Sequence, residues 1–203
     1  MSSVLEATPG ARAWVGLGLH AEVLERVRPS IVRVHGRGPA GAGGVAWRRD
    51  AVVTNHHVIA GTRQALRVVG VDGRAHAARV LESSRRLDLA LLEVPGVDLG
   101  PAPIGRSARL RVGELVFAIG HPWGQPWVVT AGVVSGLGSL PVPGRTEPGS
   151  YIRSDVHLAP GNSGGPLLDA RGEVVGLNAM VIGGDLSIAI PSDVVRRWLG
   201  EAS

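Results

Sequence analysis

Apolar residues come in short runs broken by Gly, Pro and polar turns, not in long stripes at helical spacing. Ser30-Ile31-Val32-Arg33-Val34 alternates and predicts a strand. Gly41 to Ala46, Ala51 to Thr54, Ala65 to Val71, Ala75 to Val80 and Leu89 to Val94 predict further strands, which together would form a first barrel-like lobe. Pro95 to Pro103, rich in Pro and Gly, reads as a connector. A second set follows at Leu115 to Ile119, Pro126 to Leu137, Ser150 to Ser154, Gly165 to Leu168, Val174 to Met180 and Leu186 to Ala189. His20 to Val27 predicts a short helix stopped by Pro29. Asp193 to Leu199 predicts a closing amphipathic helix with Ser192 as its cap. Residues 1–18 read as loosely ordered, and no tandem repeat or low-complexity tail is present.

Composition sharpens this all-β picture. The chain has 203 residues, enough for one large domain or two small lobes. It is 44% hydrophobic but only 3% aromatic, so its core must be built from Val, Leu, Ile and Ala. There is no Cys, which excludes disulfides and thiol chemistry. All 21 basic residues are Arg, scattered and without a run of five like charges; at a net charge of +4 a nucleic-acid partner is not expected. Leu115 to Gly144 carries no charge, but four prolines and six glycines argue against a membrane span. The N-terminus has no basic start or apolar run of a secretory signal, so a cytoplasmic location is expected over a periplasmic or secreted one.

The chemistry concentrates in Gly161-Asn162-Ser163-Gly164-Gly165-Pro166-Leu167. Glycines beside a serine allow the tight turn that exposes a nucleophile and aims amides at a developing oxyanion. Alone, this would read as a plain Ser/Gly turn. Upstream, however, stand Thr54-Asn55-His56-His57-Val58 and Arg86-Leu87-Asp88-Leu89-Ala90-Leu91-Leu92. A base, an orienting acid and a nucleophile thus follow in the order His, Asp, Ser. Asp88 sits at the mouth of an apolar strand, unfavourable unless its charge is used, whereas Asp50 and Asp72 read as turn residues. The seven His include no His-Glu-x-x-His pattern, and there is no phosphate loop, so neither metal nor cofactor is expected.

These blocks resemble the trypsin-like serine proteases, specifically the HtrA/Deg-type branch. Ala118-Ile119-Gly120-His121-Pro122-Trp123-Gly124, Thr130-Ala131-Gly132-Val133-Val134-Ser135 and Ile152-Arg153-Ser154-Asp155 also look like that branch, and the similarity covers roughly residues 20–200. The resemblance implies two antiparallel β-barrels, at about 30–100 and 108–190, in a protease domain spanning 19–203 with a closing helix near 192–200 and the active site in the cleft between the barrels. Two adjacent histidines compete for the role of base. The family pattern puts it at His57, leaving His56 as a partly buried, non-catalytic side chain. Asp88 would orient His57, Ser163 would attack, and the amides of Gly161 and Ser163 would form the oxyanion hole. Asn162 stands where secreted digestive relatives carry an acid that pairs with a newly cut N-terminus, so activation by N-terminal cleavage is not expected.

The same resemblance implies an extended peptide pairing along Leu177-Asn178-Ala179-Met180-Val181. It also implies a specificity pocket walled by His157-Leu158-Ala159, that strand and Leu186-Ser187-Ile188. With His157 in place of a carboxylate and apolar neighbours including Met180, Val181 and Ile188, small to medium aliphatic residues are expected before the cut bond. A protonated His157 would admit Glu, and Asp185 could fold a carboxylate into the pocket instead. The expected partners are polypeptides, including unfolded or misfolded ones. The C-terminal peptide-binding PDZ domain of typical HtrA proteins is expected to be absent, and Trp14 in the N-terminal segment is a candidate contact for a homotrimer. The competing expectation is a protease-like peptide-binding or chaperone module with a latent active site.

Overall fold

A computed structural model describes residues 21–36, 41–62, 66–140, 149–182 and 186–201. Trp14 and Asp185 lie outside the described residues, as do the side chains of Met180, Val181 and Leu186. Residues 21–27 form helix α1, followed by a short 3-10 turn at Arg28–Ser30. The first sheet contains β1 (Ile31–His35), β2 (Ala42–Arg48), β3 (Ala51–Thr54), β4 (Arg67–Val69), β5 (Ala75–Ala77), β6 (Arg79–Ser84) and β7 (Leu89–Glu93). Its seven strands run antiparallel in the order β5-β4-β1-β2-β3-β7-β6. Helix α2 (His56–Ile59) follows β3.

The second sheet contains β8 (Leu115–Gly120), β9 (Val128–Leu140), β10 (Gly149–Ser154), β11 (Pro166–Asp169), β12 (Val174–Ile182) and β13 (Leu186–Pro191), and it closes as a six-stranded barrel. Helix α3 (Ser192–Trp198) follows β13. The first lobe is a half-barrel: one edge strand, β5, has only three residues, and the other, β6, lies mostly exposed.

Several strands are buried on both faces, which explains their uninterrupted apolar spelling. In β3, Val52 packs in the first lobe with Val32, Val68 and Leu92, while Val53 turns into the largest core cluster. In β8, Val116 and Ala118 fill the barrel with Leu167 and Val175, while Phe117 and Ile119 join Val53 and Leu89 in that larger cluster. The larger cluster thus joins the two sheets through a shared apolar contact.

Two local expectations differ from the structure. Ala75 to Val80 is not one strand but two, because the chain changes partner at Ala78: up to its amide, which donates to the Leu66 carbonyl, it pairs with β4, and from Arg79 it pairs with β7. Ser192 does not cap α3. Its hydroxyl donates to the Gly105 carbonyl at 2.8 Å and accepts from the Ser107 amide, tying the helix to the inter-lobe connection. Cap chemistry went to a tertiary partner, which a local pattern cannot reveal.

Candidate active site

Strand register brings the first two site residues together. The β3–β7 pair matches Thr54 with Ala90, so the chain leaving β3 meets the chain entering β7 at one end of the sheet. His57 lies in the single turn of α2, just past β3, and Asp88 immediately precedes β7. The His57 side chain is 47% exposed while that of Asp88 is 9% exposed. One Asp88 oxygen accepts from the His57 amide at 3.0 Å, and the other lies 2.8 Å from His57 Nδ1. A carboxylate can only accept there, so Nδ1 carries a proton, and in the neutral ring Nε2 keeps a free lone pair. Asp88 reaches this position in the left-handed backbone region, φ 57°, which a short polar residue tolerates. Asn55 donates to its main-chain carbonyl at 3.0 Å. His56 is partly buried and takes no share of this bond.

Ser163 sits in the turn before β11, and this turn is locked to both lobes. The Gly43 amide of β2 donates to the Ser163 carbonyl at 2.7 Å, and the Gly164 amide donates to the Asn178 carbonyl of β12 at 2.8 Å. Gly164 has φ +77°, and a Cβ there would collide with Thr54 Oγ1 and the Gly43 carbonyl. Glycine is therefore required by conformation and by contact between lobes. Thr54 Oγ1 in turn donates to the Gly43 carbonyl at 2.8 Å.

His57 and Ser163 line one open cavity of about 220 Å³ with Gly161, Pro160 and residues of β1 and β2. The Ser163 hydroxyl donates to the Ala179 carbonyl at 3.2 Å in this resting arrangement. Gly161, at φ +110°, has its carbonyl held by the His121 amide, and the Pro160 carbonyl accepts from the Trp123 amide, both at 3.2 Å. In a trans peptide N–H points opposite to C=O, so the Gly161 amide faces away from Trp123. Among the described residues, neither it nor the Ser163 amide has an acceptor. Asn162 is buried at 2% exposure against Gly120, where an added Cβ would come 2.7 Å from its Cα.

A family model for the trypsin-like peptidase domain matches residues 41–177. The chain belongs to this trypsin-like peptidase family. Its relatives are of HtrA/Deg type. It is 41% identical over 189 residues to a probable periplasmic serine endoprotease DegP-like from Hahella chejuensis, covering 81% of this chain and 39% of that one. It is 35% identical over 195 residues to the serine protease HTR4 of Rattus norvegicus, covering 89% and 40%. The chain thus spans about two fifths of the length of these relatives. Among solved structures, the HtrA-type protease AlgW with decapeptide superposes with a TM-score of 0.82 at 25% identity, covering 89% of this chain and 66% of that one.

The expected pocket residues divide. Ile188 is buried at 1% exposure and Ala179 at 4%, and Leu158 packs on the barrel core. The Ser187 hydroxyl donates to the Val156 carbonyl. His157 is exposed, and its carbonyl accepts from Thr130 Oγ1 at 2.9 Å. Sequence reasoning gave no separate part to Asn55, Thr54, Gly43 or His121. His121 is 6% exposed, and burial lowers its pKa to about 4, with Arg33 and His35 adding to the depression and the Val32 carbonyl opposing it. The one signal was the Gly-His-Pro-Trp-Gly block, whose use as a backbone support depends on donors that residue type does not encode.

Proposed function

We propose that this chain hydrolyses internal peptide bonds of polypeptides through a covalent acyl intermediate on Ser163. The observation that carries this reading is the His57–Asp88 pair, held at 2.8 Å on the rim of the cavity that Ser163 also lines. The Ser163 side chain rotates between staggered wells, from the Ala179 carbonyl towards His57 Nε2. Nε2 takes the hydroxyl proton as Oγ attacks the scissile carbonyl, and Asp88 stabilises the imidazolium. The carbonyl oxygen, now anionic, accepts from the amides of Gly161 and Ser163. Collapse breaks the C–N bond as His57 gives its proton to the leaving amine. Water, deprotonated by His57, then attacks the acyl carbon and releases Ser163.

Substrate lies along β12 as an added strand, with its side chain before the cut bond among His157, Leu158, Ala179 and Ile188. Unfolded polypeptides suit this mode because their backbone is free to pair. Assembly into a homotrimer through the N-terminal segment belongs to the same proposal and is tested by light scattering. Because Asn162 cannot form an ion pair with a new amino terminus, chemistry needs no N-terminal cleavage. A latent, peptide-capturing arrangement is the second reading, and its one support is the Ser163 hydroxyl turned to Ala179. Labelling with a fluorophosphonate followed by peptide mapping separates the two. Adduct on Ser163 is expected, and absence of adduct with and without added unfolded protein would leave only the capturing role.

A further inference from the structure

A second cavity, of about 250 Å³, lies where β1 and the turn after β4 face the segment between β8 and β9. Its polar lining is cationic or donor-bearing, with Arg28, Arg33 and His121, and its walls include Ile31, Val69 and the Trp127 ring. Two of its buried polar atoms lack a partner at hydrogen-bond geometry, Arg33 Nε and His121 Nε2, although the Val32 carbonyl lies near enough to the His121 ring to oppose the lowering of its pKa. Both are donors. The Trp127 amide donates to His121 Nδ1 at 3.4 Å, which places the ring proton on Nε2. Arg33 spends Nη1 on the Gly124 carbonyl at 3.2 Å, leaving its Nε–H unused.

Buried donors are almost always paired in folded proteins, so an acceptor belongs between these two. No carboxylate of the described residues lines the cavity. Glu25 is engaged with Arg28 at 3.2 Å, and Asp72, on the neighbouring turn, accepts from the Arg74 amide at 3.0 Å. The Arg28 guanidinium stacks 5.2 Å from the Trp127 ring centroid, fixing a second positive charge at the mouth.

We propose that this cavity binds a carboxylate on an apolar stem, its oxygens accepting from Arg33 Nε and His121 Nε2 and its stem lying on Trp127, Ile31 and Val69. A side-on Arg–carboxylate contact uses adjacent N–H groups of the guanidinium and suits a planar, two-oxygen acceptor better than a tetrahedral anion. Either a free aliphatic acid or the C-terminal carboxylate of a peptide ending in an apolar residue has this chemistry.

The test is titration of the full chain, with Ser163 blocked by fluorophosphonate or replaced by Ala so that the cleft does not consume peptide. Binding is read by calorimetry and by the His121 side-chain nitrogen resonances. The probes are 4-methylpentanoate, its amide, acetate, inorganic phosphate, and a short peptide ending in Leu with a free or amidated C-terminus. The expected result is that a leucine-like carboxylate shifts the His121 Nε2 resonance and binds about tenfold or more tighter than its amide or acetate. Arg33→Gln, checked for an unchanged circular dichroism spectrum, is expected to weaken that binding by about the same factor. If Arg33→Gln fails to fold, the His121 resonance of the unsubstituted site decides. Binding of the free-ended peptide but not of the small acid assigns the source to peptide ends, and the reverse assigns it to a free acid. No movement of His121 Nε2 at saturating carboxylate overturns the proposal, as does equal binding of the amide or of phosphate. These readouts do not depend on turnover, so their failure is separate from failure of the peptidase reading.

Discussion

Asn55 and Asp88 are joined by a buried hydrogen bond from the Asn55 amide nitrogen to the Asp88 main-chain carbonyl, 3.0 Å long. It clamps the left-handed residue from behind while the Asp88 carboxylate holds His57 from the front. Asn55→Ala should therefore act through position rather than charge. Loss of the bond costs about 1–3 kcal/mol of stability, and a shift of about 1 Å in the carboxylate costs up to about 10² in rate. The fall should appear in kcat with KM nearly unchanged. Steady-state kinetics beside a thermal melt checks this, and a variant that loses stability but keeps full kcat would remove Asn55 from the positioning of Asp88.

The three candidate chemical groups should differ in kind. Ser163→Ala should abolish fluorophosphonate labelling and cleavage. Asp88→Asn should lower kcat by about 10⁴ by favouring the wrong His57 tautomer. His56→Ala should keep appreciable activity, since Asp88 pairs with the next residue. A folded His56→Ala variant as inactive as Ser163→Ala would move the base to His56.

Gly164→Ala tests the seam between lobes. The new methyl group meets Thr54 Oγ1 and the Gly43 carbonyl, and the φ of +77° disfavours any side chain. Conformation alone costs about 1–2 kcal/mol, and the clash adds to it. Gly61→Ala is the control, with similar φ, +71°, and open space around it. Thermal or urea unfolding of the two variants should show the Gly164 change as clearly the more damaging.

Stability should fall on acidification through His121. Burial lowers its pKa to about 4, so the unfolded chain, with an ordinary value of 6.5, binds the proton first. The stabilising contribution is complete above about pH 6.5 and is lost progressively as pH falls towards 4. The size is on the order of 3 kcal/mol. Urea midpoints of the parent and of His121→Gln across this window should converge towards low pH, and parallel curves would show that His121 contributes no linkage.

Cleavage after Val, Ala or Leu should dominate over cleavage after Lys or Arg. Among the described candidates, Leu158 is partly exposed and apolar, Ala179 and Ile188 are buried behind it in the apolar core, and His157 offers no anion to a cationic side chain. A peptide library varied at the residue before the cut bond measures this directly. A Lys or Arg preference would point instead to a carboxylate from elsewhere in the chain, such as Asp185.

Much of this protein could be read from its sequence because the information was local. Strand runs such as Ala51–Thr54 and Leu115–Gly120 are spelled by β-branched and apolar residues, and turns by Gly and Pro. The His, Asp and Ser blocks are short and carry their own backbone requirements, above all the glycines around Ser163. The resemblance chose His57 over His56, and of the two it is His57 whose Nδ1 lies 2.8 Å from Asp88. Other features depend on partners far along the chain. The split at Ala78, the half-open first sheet and the tie from Ser192 to Gly105 and Ser107 follow from what each segment meets after folding. So do the Asn55 clamp, the Gly43–Ser163 bond and the burial that depresses His121. Residue type sets which donors and side chains exist. Only the packing of two sheets decides which of them face each other, which are sealed from water and which, like Arg33 Nε, are left without a partner.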